Sequence, residues 1–151
     1  FALSGYLPVQ IRWVAKSSLF KIPFLGGAMK ASGYIAVERD DRKKAYEAFN
    51  KTLEKIREGC SLIIFPEGTR SEDGTIGPFK KGSNLIATRS KSPMVPITII
   101  GSRDIIKKGS PSITPGLVRV VISPPVEPRA DKKENEEVLQ SIRETIISHH
   151  Q

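Results

Sequence analysis

Residues 60–65, Cys-Ser-Leu-Ile-Ile-Phe, are an almost unbroken apolar run that begins one residue after Gly59 and ends against Pro66. A strand that is apolar on both faces needs cover on both faces, so this run predicts a central strand in a sheet flanked by helices. The preceding residues supply one such helix. From Asp40 or Asp41 to Arg57, Ala45, Phe49, Leu53 and Ile56 recur at steps of four, four and three. Charges fill the other side, and Gly59 provides the stop.

The same alternation runs along the whole chain. "IRWVA" (11–15), "YIAVE" (34–38), "MVPITII" (94–100) and "LVRVVIS" (117–123) read as strands rich in branched and aromatic residues, the third of them buried. "SSLFKIPFLGGAMKASG" (17–33) is apolar but broken by Pro23 and Gly26-Gly27, which predicts a short, interrupted helix. Residues 66–81 read as a loop, 82–90 as a short helix and 109–116 as a connection. The last helix starts near Asp131, with Val138, Leu139, Ile142 and Ile146 on one face and His149 and His150 beyond its end. Strands alternating with helices predict an α/β fold, a mainly parallel or mixed sheet flanked by helices, in a single domain over residues 1–151.

Composition narrows the function. With 38% hydrophobic and 26% charged residues in 151, the chain is globular and long enough to bury a core. No stretch approaches the roughly 18 apolar residues of a membrane span. The lone Cys60 has no internal disulfide partner and reads as a small core residue, and two adjacent histidines give no metal-ligand spacing. The net charge of +8 is uneven: residues 1–108 hold 19 Lys and Arg against 10 Asp and Glu, and residues 109–151 hold 5 against 6. The positive half suits an anionic ligand or surface, although individual lysines ordinarily only solvate a domain.

That half also holds "FPEGTRS" (65–71), where the apolar run empties into polar residues. Sites in open α/β sheets lie beyond the carboxyl ends of strands. Arg70 can grip a phosphate with two parallel charge-assisted hydrogen bonds, and Glu67 is near enough in a turn to orient it. Gly68 opens the backbone to an anion, and Thr69 or Ser71 offers a hydroxyl. The plain alternative is a polar turn. Arg39 follows strand 34–38 as Arg70 follows strand 60–65, so neighbouring strands would bring both to one rim, with Lys16 after strand 11–15 joining them. "GTIGPFKKGS" (74–83) lacks the Gly-Lys-Ser/Thr order of a nucleotide P-loop, and no dinucleotide fingerprint follows a strand.

"FPEGTRS" resembles the hallmark block of the glycerolipid acyltransferases, the family typified by 1-acyl-glycerol-3-phosphate acyltransferase. "GYIAVER" (33–39) is similar to that family's G-x5-R block, and "PMVPITI" (93–99) to its later proline-containing block. "AKSSLFKIPFLG" (15–26) and "DGTIGPFKKGS" (73–83) also look familial, in the right order over about 10–100. The resemblance implies transfer of an acyl group from acyl-CoA or acyl-carrier protein, as co-substrate and with no cofactor, to a lysophospholipid hydroxyl. It implies that Arg39 and Arg70 bind the acceptor phosphate, with Glu67 and Gly68 shaping the same pocket, to which the residue reading adds Thr69 and Lys16. Phe65, Pro66, Val95 and Pro96 would shape the acyl or acceptor pocket, with Ser71 and Cys60 no nucleophiles.

The family's general base belongs to an H-x4-D block that this chain does not contain, so no catalytic residue is assigned within it. With Phe1 first, the chain reads as a piece starting just after that block. Loss of an oriented base costs about 10²–10⁴-fold in rate, so the piece alone is expected to be a very poor catalyst. The expected setting is the cytoplasmic membrane face, with peripheral attachment or an anchor through a missing N-terminal segment. Residues 17–29 read either as a shallow membrane-facing segment or as a hydrophobic cap on the sheet. A non-catalytic anionic-lipid-binding module is the alternative function. Nucleic acid is not an expected partner, because the basic residues are not interleaved with stacking aromatics.

Overall fold

The computed structural model describes residues 3, 7, 9–38, 40–69, 71, 73–105, 112–129 and 131–150. The chain divides into two compact units, residues 1–65 and 66–151.

The first unit is built on a parallel sheet of β1 (Ile11–Lys16), β2 (Ile35–Val37) and β3 (Ser61–Ile63), in the order β2-β1-β3. Val14 to Lys16 pair with Ile35 to Val37, and Ile11 to Trp13 with Ser61 to Ile63. The central strand is therefore β1, which corrects the expectation that 60–65 is central and covered on both faces. Ser61 is exposed and Leu62 to Ile64 are half-buried. Apolar content reports that a face needs cover, not where a strand sits in the order, and only three residues of the run pair.

Parallel neighbours need crossovers, and the two connections supply them. A 3-10 turn (Ser17–Lys21) and α1 (Leu25–Ala31) link β1 to β2, so residues 17–33 form the interrupted helix expected of Pro23. Helix α2 (Arg42–Arg57) links β2 to β3 and packs on both. The Asp41 carboxylate caps α2 by accepting from the Lys44 amide at 3.0 Å, which together with the Lys44 charge lowers its pKa. At the other end Gly59 takes φ +84°, a conformation costly for residues with a Cβ. Its amide then bonds the Ile56 carbonyl at 2.9 Å, and that of Cys60 bonds Lys55 at 3.0 Å. Cys60 is half-buried rather than a full core residue. The buried residues Ile35, Met29, Ala48, Leu53 and Thr52 form the core here. The Thr52 hydroxyl donates back to the Ala48 carbonyl at 2.7 Å.

Ahead of α1 the backbone does something unusual. Phe24 has φ 62° and ψ −52°, and the Leu25 amide donates to the Pro23 carbonyl at 2.7 Å. That is a three-residue γ-turn of the strained hand, costing about 1–3 kcal/mol. Phe24 gains no burial in return, since it is 95% exposed.

The second unit holds α3 (Lys81–Ser90), β4 (Ile97–Ile100), α4 (Ser102–Ile105), β5 (Arg119–Ile122) and α5 (Lys132–His150). Strands β4 and β5 are antiparallel, with Ile97 opposite Ile122, and Met94 and Val126 form an isolated bridge further on. Leu139 and Ile142 of α5 are buried, as their spacing predicts, while α5 packs on β4 and α3. His149 and His150 lie within the last turn of α5, not after it. Asn135, fully buried, accepts from the Arg129 amide at 3.1 Å and fixes the entry into α5.

Ile35 and Phe24 make opposite predictions. Ile35→Ala, at a site 1% exposed, is expected to lower unfolding free energy by about 2–5 kcal/mol. Phe24→Gly is expected to raise it by on the order of 1 kcal/mol, strain relief exceeding glycine's entropic cost. Urea unfolding checks both.

Candidate functional site

Because β1 runs parallel to both its neighbours, all three strands of the first unit end at one edge. Lys16 is there, exposed and level with Val37. Beside it the Ser17 hydroxyl donates to Glu38 Oε2 at 2.8 Å, tying the end of β1 to the end of β2. Strands β2 and β3 are not neighbours, as the reading of Arg39 and Arg70 supposed, but they flank β1 and leave the sheet at the same edge. Arg39 and Arg70 themselves lie outside the described residues. At the end of β3, Phe65 stacks on Trp13, with ring centroids 5.7 Å apart at 24°. Its outer face is open, the residue being 52% exposed.

The second unit opens with residues 66–80, a loop closed at its base. The Lys80 amide donates to the Pro66 carbonyl at 2.8 Å, and the Ser83 hydroxyl adds a contact to the same oxygen at 3.3 Å. Gly68 has φ +71°, so the backbone turns there in a way that a side chain would strain. Thr69 is exposed and Ser71 half-buried. Glu67 has a definite partner: its Oε2 accepts from the Gly77 amide at 2.7 Å, ten residues along. The carboxylate expected to orient an arginine is thus also a clasp across the loop.

Two further anchors hold the loop. Arg143 of α5 donates from Nη2 to the Ile76 carbonyl at 2.7 Å and from Nε to the Gly77 carbonyl at 3.0 Å. Arg103 of α4 donates from Nη1 to the Asp73 carbonyl at 2.5 Å. The Thr75 hydroxyl and amide bond the Asp73 carboxylate at 2.7 and 2.9 Å, and these bonds, aided by the Arg103 charge, hold its pKa below the usual carboxylate range. Sequence reading missed both arginines. Their partners are carbonyls up to 67 residues away, and a carbonyl carries no mark in the sequence.

The residues expected to line an acyl or acceptor pocket fall in both units. Phe65 belongs to the first, and Pro66, Val95 and Pro96 to the second. Pro66 is half-buried; Val95 is exposed before β4. Pro96 is buried, and its carbonyl accepts from the Ser123 amide at 3.0 Å. The open groove along α5, lined by Pro78, Phe79, Asn84, Leu139 and Arg143 among others, contains none of these four. No cluster of three potential metal ligands occurs among the described residues.

A parallel α/β sheet whose strands end at one edge is thus followed in the chain by a Pro-Glu-Gly-Thr loop clasped by Glu67. The profile of the family described as Acyltransferase matches residues 1–100. The chain belongs to that family. It is 40% identical over 116 residues to the chloroplastic 1-acyl-sn-glycerol-3-phosphate acyltransferase BAT2 of Brassica napus, covering 76% of this chain and 34% of the relative. It is 38% identical over 101 residues to the 1-acyl-sn-glycerol-3-phosphate acyltransferase of Helicobacter pylori, covering 66% and 43%. The crystal structure of the 1-acyl-sn-glycerophosphate (LPA) acyltransferase PlsC of Thermotoga maritima is similar with a TM-score of 0.75 and 32% identity, over 95% of this chain and 59% of that one. The chain thus spans between a third and a half of the length of these two sequence relatives.

The loop makes two predictions. Glu67→Ala is expected to loosen residues 66–80, seen as faster amide exchange at Gly77. Glu67→Gln, which keeps an acceptor oxygen, should largely preserve protection there. A carboxyl whose folded pKa lies below its unfolded value of about 3.9 stabilises fully above that value, and its contribution is lost as pH falls through the folded pKa. Asp73→Ala is therefore expected to flatten the loss of thermal stability below about pH 4 and to leave the dependence above about pH 5 unchanged.

Proposed function

We propose that this chain is part of a 1-acylglycerol-3-phosphate O-acyltransferase of phospholipid biosynthesis. A fatty acyl group would pass from the thioester of acyl-CoA or acyl-carrier protein to the free hydroxyl of 1-acyl-glycerol-3-phosphate. The new ester forms as the thioester bond breaks, and the departing thiolate takes up the proton lost from the hydroxyl. The supporting observation is the order of the blocks in the chain: "GYIAVER" leads through β2 and "FPEGTRS" begins just after β3, and β1, β2 and β3 leave their sheet at one edge, where β1 presents Lys16. Arg39, Arg70, Lys16, Gly68 and Thr69 are assigned to the acceptor phosphate, and Glu67 both to that site and to the loop it clasps. Charge-assisted bonds from guanidinium groups suit a phosphate dianion better than a lysine's single point charge.

The chemistry needs a base on the acceptor hydroxyl. Within these 151 residues there is no H-x4-D, and the two histidines lie in the last turn of α5. The arginines, on this reading, bind and orient the acceptor and leave proton transfer to a histidine outside residues 1–151. The +9 balance of residues 1–108 favours anionic substrates and the anionic membrane face that carries them. Among the described residues no helix is long and apolar enough to cross a membrane. A binding module that holds anionic lipid without turnover is the second reading, which the same positive balance of residues 1–108 also suits.

Thiol release from a long-chain acyl-CoA with lysophosphatidate distinguishes them. The 151-residue chain is compared with one carrying an H-x4-D block ahead of residue 1. Turnover only in the longer chain is the expected result; a longer chain that folds and binds lysophosphatidate without turnover supports the second reading. In the active form, Arg70→Ala is expected to weaken acceptor use by about 10²-fold or more while leaving the melting temperature within a few degrees. Equal activity of mutant and parent removes the phosphate assignment.

A further inference from the structure

The structure separates the two roles left open for residues 17–29. Met29 and Gly26 turn inward, and the 3-10 turn rests on the ends of β1 and β2, so part of the segment does cap the sheet. The other part faces water. Phe24 is 95% exposed, with Ile22 at 44%, Leu19 at 40% and Leu25 at 38% around the same turn. A single exposed apolar residue needs no explanation, but four within seven positions, with a phenylalanine held out by a strained γ-turn, form a protrusion.

Charge identifies what the protrusion meets. Residues 9–37 contain Arg12, Lys16, Lys21 and Lys30 and no aspartate or glutamate. Lys21 and Lys30 are exposed at either side of the turn. Lys30 lies five residues beyond Leu25 on α1, about 8 Å along the helix axis, which is within a Debye length at physiological salt. An apolar tip flanked by exposed lysines, with the Glu38 carboxylate held by Ser17 at the base of the turn, fits a surface that is negative outside and apolar beneath. We propose that the turn around Phe24 is a wedge that inserts into an anionic lipid bilayer, with Lys21 and Lys30 on the headgroups. Gly26 makes the wedge stiff: a Cβ there would overlap the Phe20 carbonyl, so α1 and the 3-10 turn are locked against each other behind the tip.

The inference rests on the membrane-face reading above and names the element that meets the bilayer. Its test reads binding rather than turnover, so the two can fail separately. The 151-residue chain is co-sedimented with vesicles of equimolar phosphatidylcholine and phosphatidylglycerol, and with phosphatidylcholine alone. The parent is expected to partition onto the anionic vesicles and to lose affinity as salt rises. Phe24→Ser is expected to weaken partitioning roughly tenfold or more, the contribution of one buried phenyl ring, without lowering the melting temperature. Phe24→Trp should restore it, with the new indole's emission quenched by brominated acyl chains while that of Trp13 in the parent is not. Replacing Lys21 and Lys30 together by glutamine should weaken binding about tenfold and reduce its salt dependence. Undiminished binding by a folded Phe24→Ser variant, failure of the parent to bind anionic vesicles, or a Phe24→Trp variant whose new indole brominated lipid does not quench would each overturn the proposal.

Discussion

Everything in the first unit follows from β1 taking a parallel partner on each side. Parallel pairing forbids a tight hairpin, so each connection must travel the length of the sheet and return. It also fixes polarity. Three strands pointing the same way deliver three chain exits to one edge, where side chains from separate parts of the chain collect. Lys16, Glu38 and Phe65 are there because of the pairing, not because they are close in sequence.

The segment after that edge is organised by a different principle. Residues 66–80 contain no regular structure among the described positions, yet both ends and the middle are tied: Pro66 to Lys80, Glu67 to Gly77, and Ile76 and Gly77 to Arg143. Most of these contacts use backbone groups on at least one side, so the loop's course depends on its length and on a few long side chains. A loop tied in this way is ordered before any ligand arrives, and its ordering entropy is met during folding rather than on binding.

Much of this is legible in the sequence, and the gaps have physical causes. Helix α2 can be read from its spacing, its capping aspartate and Gly59, all of them local signals. The blocks around "FPEGTRS" point to the family by their order alone. The place of β3 at the side of its sheet is not legible, because an apolar run reports burial and not order. Nor is the role of Asn135, which looks like one more surface position among the polar residues opening α5 until the Arg129 amide is brought to it. Residues 17–29 stay ambiguous because the pattern of apolar residues is the same whether they point into a core or out of it. The γ-turn at Phe24 and the burial of Met29 and Gly26 separate the two.

The stacking of Phe65 on Trp13 has a further consequence. The chain contains one tryptophan, and that indole lies against the first residue of the "FPEGTRS" block. Any event that moves the end of β3, excludes water from Phe65 or brings an acyl chain over its open face changes the surroundings of the sole dominant fluorophore. The protein therefore carries a built-in optical reporter at the edge of its sheet, readable in the unlabelled wild-type chain.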